Sequence, residues 1–208
     1  MSSDVPLDPI AINGPLLVVI TGPSGVGKDT VLARLKEVEP ACHLTVTATT
    51  RPRREAEQHG VDYFFVEQAE YDRMLVADEF LEHAKVYGFG YGIPRTPVRE
   101  ALAAGKDVLL RIDVQGAATI GALAPGCIRI FVAPPTFAEL EQRLRRRKSD
   151  TPDVIERRLR TAHDEMARVA ECDYIVVNSD GRLDDTVCQI AAIMTAERRR
   201  IHRRRVEI

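Results

Sequence analysis

Apolar residues cluster along this chain in four short runs with little polar alternation, at residues 16–20, 108–112, 128–132 and 174–177. Strands of a parallel sheet that is covered on both faces have this pattern. Five longer segments have apolar residues at helical spacing, at residues 29–38, 114–123, 137–147, 153–172 and 182–200. Because strands and helices alternate, we predict an α/β fold, a three-layer sandwich around a parallel sheet.

The stretch at about 47–92 interrupts this alternation. It is basic at residues 51–54, strand-like at 61–66 and helical at 68–75, and a glycine-rich run follows at 88–92. We interpret this stretch as an inserted α+β lobe that binds a substrate, and not as a domain that folds separately.

The rest of the chain is interpreted as one domain. We expect a flexible leader at residues 1–15 and a core formed by residues 16–46 and 93–208. A helical lid is predicted at about 144–160, where four consecutive cations at residues 145–148 stand between two helices. Such a run is also typical of a solvated helix end, where cations favour the helix dipole. Both interpretations stay open.

Composition limits the class of protein. The chain has 208 residues, enough for one buried core, and its net charge of −2 argues against a general nucleic-acid binder. No apolar stretch is long enough for a membrane span, and the leader lacks the features of a signal peptide. The four widely spaced cysteines are typical of reduced thiols. We therefore expect a cytoplasmic protein, either a monomer or a homodimer.

A glycine-rich loop carries the strongest chemical signal. Residues 22–28 read GPSGVGK, directly after an apolar run and directly before a helical segment, which is the context of a phosphate-binding P-loop. Glycines allow several backbone N–H groups to converge on one phosphate, and Lys28 adds a mobile positive charge. A loop that only turns the chain is the alternative. The residues assigned to ATP here are Gly22, Pro23, Ser24, Gly25, Val26, Gly27, Lys28, Asp29 and Thr30.

Two further groups of cations suit phosphoryl transfer, because this reaction depends on positioning phosphates and neutralising their charge. Arg51 and Arg54 lie three residues apart in the lobe and suit a phosphate monoester. Arg147 and Arg158 lie in the predicted lid and could reach across a triphosphate. For any one of these arginines, a purely solubilising surface role is the alternative.

Nine motifs occur in an order and spacing that resemble the guanylate kinase family over nearly the whole chain. Besides the P-loop, they are the strings at 49–54, 59–65, 80–84, 91–92, 112–116, 133–135, 150–166 and 175–178. The resemblance implies a P-loop NTPase-type sheet, an inserted GMP-binding lobe and a helical lid. It also implies that ATP phosphorylates GMP, and dGMP, and that Mg²⁺ arrives with ATP.

The resemblance further implies roles for individual residues. Those expected to hold the GMP phosphate are Arg51, Arg54, Tyr63 and Tyr91. Those expected to read the guanine are Thr47 and Glu82, and Asp113 would lie by the ribose and the reacting phosphates. Those expected on the ATP side are Arg147, Arg158 and Asn178. The residues expected to act in catalysis are Lys28, Arg51, Arg147, Arg158 and Asp113.

Glu82 also suits its role for a physical reason. A carboxylate accepts hydrogen bonds from N1–H and the exocyclic amine of guanine together, whereas adenine has an acceptor at N1 and no 2-amino group. A buried Glu82 would stay unpaired with adenine, and such a loss discriminates by roughly 10⁴-fold. A solvated acid at a helix end is the alternative for this residue.

Three positions depart from the family pattern. Asp29 replaces the usual Ser or Thr whose hydroxyl approaches Mg²⁺, Arg111 replaces an acid two residues before Asp113, and Ile93 replaces a frequent hydroxyl residue. We hypothesise that Asp29 and Arg111 form an ion pair that restores the local charge. Asp29 could then still bind Mg²⁺, directly or through water. The alternative is that Asp29 repels the phosphates and impairs the enzyme.

Two other functions compete with GMP phosphorylation. Domains that resemble guanylate kinase also serve as non-catalytic binding modules, but those typically lack an intact P-loop, whereas Gly27 and Lys28 are present here. A kinase of the same fold could also act on another phosphorylated acceptor, such as a ribose bisphosphate. Thr47 and Glu82 argue against that acceptor, because a sugar phosphate would leave both unpaired.

Overall fold

A sheet of five parallel strands forms the centre of the computed structural model. The structure describes residues 14–55, 57–86, 88–146, 152–201 and 206–208. In chain order its strands and helices are β1 (Leu17–Thr21), α1 (Lys28–Val38), β2 (His43–Leu44), β3 (Thr47–Thr49), β4 (Tyr63–Phe65), α2 (Gln68–Val76), β5 (Phe80–Val86), β6 (Phe89–Pro94), α3 (Arg95–Ala103), β7 (Val108–Arg111), α4 (Val114–Leu123), β8 (Ile128–Ala133), α5 (Phe137–Arg145), α6 (Pro152–Ala167), β9 (Tyr174–Val177) and α7 (Leu183–Arg198).

The strands of the main sheet stand in the order β2-β7-β1-β8-β9, and all neighbours are parallel. β1 lies in the middle, and all five of its residues are buried. The apolar runs correctly predict four of the five strands. The pattern does not predict β2, because this strand has only two residues, both half-buried.

Alternate residues of β1 point to opposite faces of the main sheet, and helices cover each face. Val18 and Ile20 belong to an apolar cluster that includes residues of α1, α5, α6 and α7. Leu17 and Val19 belong to a second cluster that includes residues of α3 and α4. The fold is therefore the predicted three-layer sandwich, and burial on both faces explains why β1 has no polar alternation.

A second, smaller sheet occupies the stretch predicted as a lobe, with its strands in the order β4-β3-β6-β5. β3 and β4 are parallel, and the other pairs are antiparallel. This small sheet packs on α2 through Ala48, Tyr71 and Phe80. A Cβ atom on Gly92 would lie 2.5 Å from the Phe80 ring, so glycine lets strand and ring approach closely. α4 contacts β5, which joins the small sheet to the main one.

The structure corrects several predicted boundaries. The helix predicted at 153–172 is divided into α6 and a short 3₁₀ turn at Val169–Glu171, and the helix predicted at 137–147 ends at Arg145. β9 is an edge strand with Ile175 and Val177 exposed, so its apolar run is covered on one face only. Residues 147–151 of the predicted lid and most of the predicted leader lie outside the described residues.

Two predictions from composition concern the whole chain. The four cysteines are free thiols, as expected. Among the helices that the structure describes, none combines the length and the apolar character needed to cross a membrane.

Candidate active site

The P-loop connects β1 to α1 at the carboxyl edge of the main sheet, where ligands bind in open α/β sheets. Gly22, Gly25 and Gly27 have φ angles of 138°, 87° and 95°, which side chains rarely allow. At Gly22 a Cβ atom would also collide with the backbone carbonyl of Val132 on β8. The loop therefore requires glycine for its backbone angles and, at Gly22, for its contact with the sheet.

Lys28 is the first residue of α1, and its side chain folds back over the loop. Its Nζ atom donates hydrogen bonds to the carbonyl oxygens of Gly22 (2.6 Å) and Pro23 (3.1 Å). Burial lowers the pKa of this ammonium group, and the nearby carboxylate of Glu165 acts against the shift. A cation that is partly shielded from solvent interacts more strongly with an incoming anion than a fully exposed one does.

Side chains from behind the P-loop hold it in place. The amide of Asn178 donates to the carbonyl oxygen of Val26 (2.8 Å) and accepts from the hydroxyl of Thr186 (3.2 Å). Arg143 donates to the same Val26 oxygen (3.2 Å) and to the backbone oxygen of Asn178 (2.7 Å). Asn178, expected on the ATP side, thus supports the loop. The sequence did not point to Arg143, because its ion pair with Glu139 one turn earlier is typical of an exposed helix face.

Helix α6, in the predicted lid, presents a cation and an anion to the P-loop. Arg158 Nη1 lies 3.4 Å from the hydroxyl oxygen of Ser24, and Glu165 Oε2 accepts from the backbone N–H of Ser24 at 3.2 Å. The two residues share one face of the helix because they are seven positions apart. Burial raises the pKa of Glu165, and Lys28 acts against this shift. Arg147 lies outside the described residues.

The ion pair hypothesised between Asp29 and Arg111 is present. Arg111 Nη1 donates to Asp29 Oδ1 at 2.8 Å, which joins the start of α1 to the end of β7. The Asp29 side chain is 73% exposed, whereas that of Arg111 is 19% exposed. The Arg111 guanidinium also lies over the ring of Tyr63, 4.6 Å from its centroid. The sequence did not predict this second contact.

The four residues expected to hold the acceptor phosphate form a cluster on the small sheet and its adjoining loop. Arg51 pairs with Glu57 (2.7 Å) and lies 5.4 Å from the centroid of the Tyr63 ring. The rings of Tyr63 and Tyr91 meet edge to face, with 6.1 Å between centroids. Arg54 is largely exposed and lies 3.9 Å from Glu57. Glu57 therefore contacts both arginines, a role that sequence reasoning missed.

Glu82 lies on β5 with only 7% of its surface exposed. The interpretation as a solvated acid at a helix end is therefore wrong. Within the described residues, no group donates a hydrogen bond to its carboxylate. Burial, and then the charge of Asp113, raise the pKa of Glu82 to about 7. The space for this carboxylate depends on Gly116, where a Cβ atom would lie 2.8 Å from Glu82 Oε1.

Asp113 lies between the P-loop and Glu82. Its Oδ1 atom caps α4 by accepting from the N–H of Gly116 at 2.7 Å. Its negative charge raises the pKa of both Lys28 and Glu82, so Asp113 lies within electrostatic range of the P-loop lysine and of the residue expected to read the guanine. Thr47, also expected to read the guanine, is buried on β3.

Comparison with known proteins agrees with this arrangement. The sequence model of the family described as guanylate kinase matches residues 15–197. The chain belongs to the guanylate kinase family. It is 44% identical over 195 residues to guanylate kinase 2, chloroplastic/mitochondrial, of Oryza sativa subsp. japonica, over 93% of this chain and 68% of that protein. It is 46% identical over 178 residues to the guanylate kinase of Frankia casuarinae, over 86% and 96%. The crystal structure of guanylate kinase from Anaplasma phagocytophilum matches with a TM-score of 0.76 and 30% identity, over 91% and 89%.

For this member of the guanylate kinase family, the structure accounts for all three departures from the family pattern. The changes at Asp29 and Arg111 compensate each other, because the acid gained by one position meets the cation gained by the other. Ile93 is 1% exposed and belongs to the apolar cluster that contains Leu81 and Val98. Its side chain therefore contributes packing in place of a hydroxyl group.

Proposed function

We propose that this chain transfers the γ-phosphoryl group of ATP to GMP, and to dGMP, and releases ADP and the nucleoside diphosphate. Membership of the guanylate kinase family supports this reaction. The observation that carries the proposal is the side chain of Glu82, which belongs to a residue only 7% exposed and receives no hydrogen bond from the described residues. Burying an unpaired carboxylate costs free energy, so such a group indicates a ligand that pairs with it.

Guanine supplies the two donors that Glu82 lacks. Its N1–H and 2-amino groups can both bond to one carboxylate, and the hydroxyl of Thr47 is available for a third polar contact. Adenine offers neither donor, and a sugar bisphosphate offers no base. Either ligand would leave Glu82 buried and unpaired, which disfavours binding.

The GMP phosphate is bound by Arg51, Arg54, Tyr63 and Tyr91. Guanidinium groups donate paired hydrogen bonds to phosphate oxygens, and the tyrosine hydroxyls add donors from the sheet. Glu57 holds both arginines near each other before the phosphate arrives, which is supported by its contacts with each of them. The acceptor phosphate needs no general base, because its oxygens are already anionic.

The ATP phosphates are bound by backbone N–H groups of residues 22–30 and by the positive end of the α1 dipole. Lys28 leaves its two carbonyl partners and reaches the β- and γ-phosphates. Arg158 neutralises charge on the transferred group, and by resemblance to the family so does Arg147. Asn178 holds the loop in shape. Asp113, next to both Lys28 and Glu82, lies by the ribose of GMP and the reacting phosphates.

Asp29 would hold the Mg²⁺ that accompanies ATP. The Asp29 carboxylate is largely exposed and offers oxygen atoms, the ligands that Mg²⁺ prefers. Within the described residues, no group of three or more His, Cys, Asp or Glu side chains could hold a metal by itself. When bound, the ion neutralises charge on the β- and γ-phosphates.

Each part of the fold has its own role in the proposed reaction. The small sheet and α2 act as the GMP-binding lobe at about 47–92, and the segment at about 144–160 acts as the lid. The core comprises residues 16–46 and 93–208. The reaction takes place in the cytoplasm, which is supported by the four free cysteines. The assembly is a monomer or a homodimer.

A coupled assay of ADP release tests the proposal. We expect rapid turnover with GMP, slower or equal turnover with dGMP, and a kcat/KM at least about 10³-fold lower with AMP. Ribose 1,5-bisphosphate should not be phosphorylated. Turnover of the sugar bisphosphate in place of GMP would instead favour a kinase for another acceptor. GMP binding without any turnover would favour a non-catalytic module.

A further inference from the structure

Arg111 stands at the junction of the two proposed substrate sites. It is the last residue of β7, which neighbours β1 in the main sheet, and it is paired in register with Ile20 just before the P-loop. Its side chain is mostly buried, and it is not one of the residues that bind GMP or ATP in the proposed reaction. Its position at this edge therefore indicates a role other than direct substrate binding.

The guanidinium of Arg111 is fixed from two sides. One N–H group donates to Asp29 at 2.8 Å, on the first turn of α1. The Cζ atom of the same guanidinium lies over the ring of Tyr63 on β4, 4.6 Å from the ring centroid. Arginine alone combines a planar face that stacks on aromatic rings with N–H groups that pair with carboxylates. The residue thus links the P-loop helix to the small sheet.

Tyr63 has a second cation beside it. Arg51 lies 5.4 Å from the same ring centroid, and the rings of Tyr63 and Tyr91 are in an edge-to-face arrangement. These neighbours restrict the swing of the whole Tyr63 side chain about χ1, and this swing sets the position of its hydroxyl oxygen. Of these two cations, Arg51 belongs to the acceptor site itself, whereas Arg111 belongs to the main sheet.

We propose that Arg111 is a positioning residue for GMP. Anchored by Asp29, it holds the Tyr63 ring so that the tyrosine hydroxyl meets the GMP phosphate. This inference rests on the proposed function, since it requires that GMP binds at Tyr63. If Arg111 positions Tyr63, then Asp29, on the donor side, contributes to GMP affinity even when ATP and Mg²⁺ are absent. If the Asp29–Arg111 pair only balanced charge at the P-loop, Asp29 would make no such contribution.

Calorimetric titration of GMP in the presence of EDTA, without any adenine nucleotide, tests this. The Kd for GMP should rise by about 3- to 20-fold in Arg111→Gln, on the scale of a lost cation–π contact. Asp29→Asn should raise it by a smaller factor, because Arg111 loses its anchor and keeps its charge. Arg111→Lys should fall between wild type and Arg111→Gln, because lysine pairs with Asp29 and lacks the planar face.

A matched control is available at the opposite edge of the same sheet. Arg129, near the amino end of β8, pairs with Asp173 at 3.3 Å. Arg129→Gln and Asp173→Asn remove a comparable ion pair and should leave the Kd for GMP unchanged. Thermal unfolding of every variant confirms that the titrated protein is folded.

A double-mutant cycle separates positioning from a general loss of structure. Tyr63→Phe keeps the ring and removes the hydroxyl, so it should raise the Kd for GMP by itself. If Arg111 acts through that hydroxyl, Arg111→Gln should add little further loss in the Tyr63→Phe background. Fully additive losses, or a wild-type Kd in Arg111→Gln, would overturn the inference while the proposed function stands. No GMP binding by the wild-type chain would overturn the proposed function and this inference together.

Discussion

The donor and acceptor sides of this site are built in different ways. On the donor side, one continuous loop at residues 22–28 provides backbone N–H groups, and Lys28 adds the main charge. On the acceptor side, the assigned side chains come from separate strands and loops, and three of them, Arg51, Tyr63 and Tyr91, contact one another. The assigned side chains are Thr47, Arg51, Arg54, Tyr63, Glu82 and Tyr91.

The difference determines how each side should respond to substitution. The loop at residues 22–28 binds phosphate mainly through its backbone, and Lys28 is its charged side chain. The loss of this one side chain should therefore reduce activity severely. In the proposed function, the phosphate contacts of the acceptor side are shared among several cations and hydroxyls, so single losses there should be moderate. Glu82 is the proposed exception on the acceptor side, because base recognition would depend on this one carboxylate.

Removal of the Lys28 charge is the strongest way to test this contrast. Lys28→Ala should lower kcat by about 10²-fold or more, because the transition state loses a charge partner. The Kd for GMP, measured by calorimetry without ATP, should change by less than about twofold, because Lys28 bonds to carbonyl oxygens of the loop and not to the acceptor side chains. Lys106→Ala, at an exposed lysine before β7, is the control. Full turnover by Lys28→Ala would show that the loop does not hold the donor phosphates.

Substitution of Glu82 should affect the acceptor alone. Glu82→Gln keeps the shape of the side chain but turns an N–H donor toward the donors of guanine, so the KM for GMP should rise by about 10- to 100-fold. Discrimination against AMP should weaken, and the KM for ATP should not change. Steady-state assays with both acceptors measure this, with Glu67→Gln, an exposed acid before α2, as control. An unchanged preference for GMP would remove Glu82 from base recognition.

Glu82 should also make the acceptor side sensitive to pH. Its pKa is raised to about 7, and guanine pairs with the ionised form. As the pH falls from 8 to 6, the ionised fraction declines and the Kd for GMP should rise, approaching about tenfold per unit below the pKa. The phosphate of GMP titrates in the same range, so Glu82→Gln supplies the reference profile. Identical pH profiles for the two proteins would contradict the assignment.

The raised pKa of Glu82 also affects the stability of the folded protein. Because the folded-state pKa lies above the ordinary value near 4.5, the folded protein binds this proton more tightly, and the contribution of Glu82 to the free energy of unfolding falls as the pH rises from 4.5 through 7. Glu82→Gln should therefore raise the free energy of unfolding at pH 8 by about 1 to 3 kcal/mol. Urea unfolding at pH 8 and at pH 5 tests this, since the gain should shrink at the lower pH.

The two sides also differ in how far the sequence predicts them. The donor side depends on contiguous residues, so the apolar run, the glycines and Lys28 predict its place and its chemistry. β5 and β6 of the acceptor side carry polar and glycine residues, such as Glu82 and Gly92, which interrupt any regular alternation. Most residues of the proposed acceptor site are therefore assigned through the family resemblance and not through periodicity.

The supporting residues were the hardest to predict. Glu165 contacts Ser24 from 141 positions away, and Arg143 contacts Val26 from 117 positions away. In the sequence each is one charged residue of an amphipathic helix, and its role arises only when the helix packs against the loop. The Asp29–Arg111 pair could be predicted because one family position gained a negative charge and another gained a positive charge. The contact of Arg111 with Tyr63 could not, because it depends on where the small sheet lies relative to the main sheet.

Glu165 allows the finest test of the donor side. Its carboxylate accepts from the Ser24 N–H and lies near Lys28, where an incoming triphosphate would meet a negative charge. Glu165→Gln keeps an oxygen for the Ser24 N–H and removes that charge. The Kd for a non-hydrolysable ATP analogue with Mg²⁺ should therefore fall by about 2- to 5-fold, a modest effect because the site opens to solvent.

Calorimetry with Glu156→Gln, an exposed acid on the same helix, controls for a general change in charge. GMP affinity should be unchanged in both variants, since the effect is confined to the donor side. A weaker affinity for the ATP analogue in Glu165→Gln would mean that the carboxylate organises Lys28 and the loop more than it repels the nucleotide. In that case the donor side, like the acceptor side, would depend on side chains that hold one another in place.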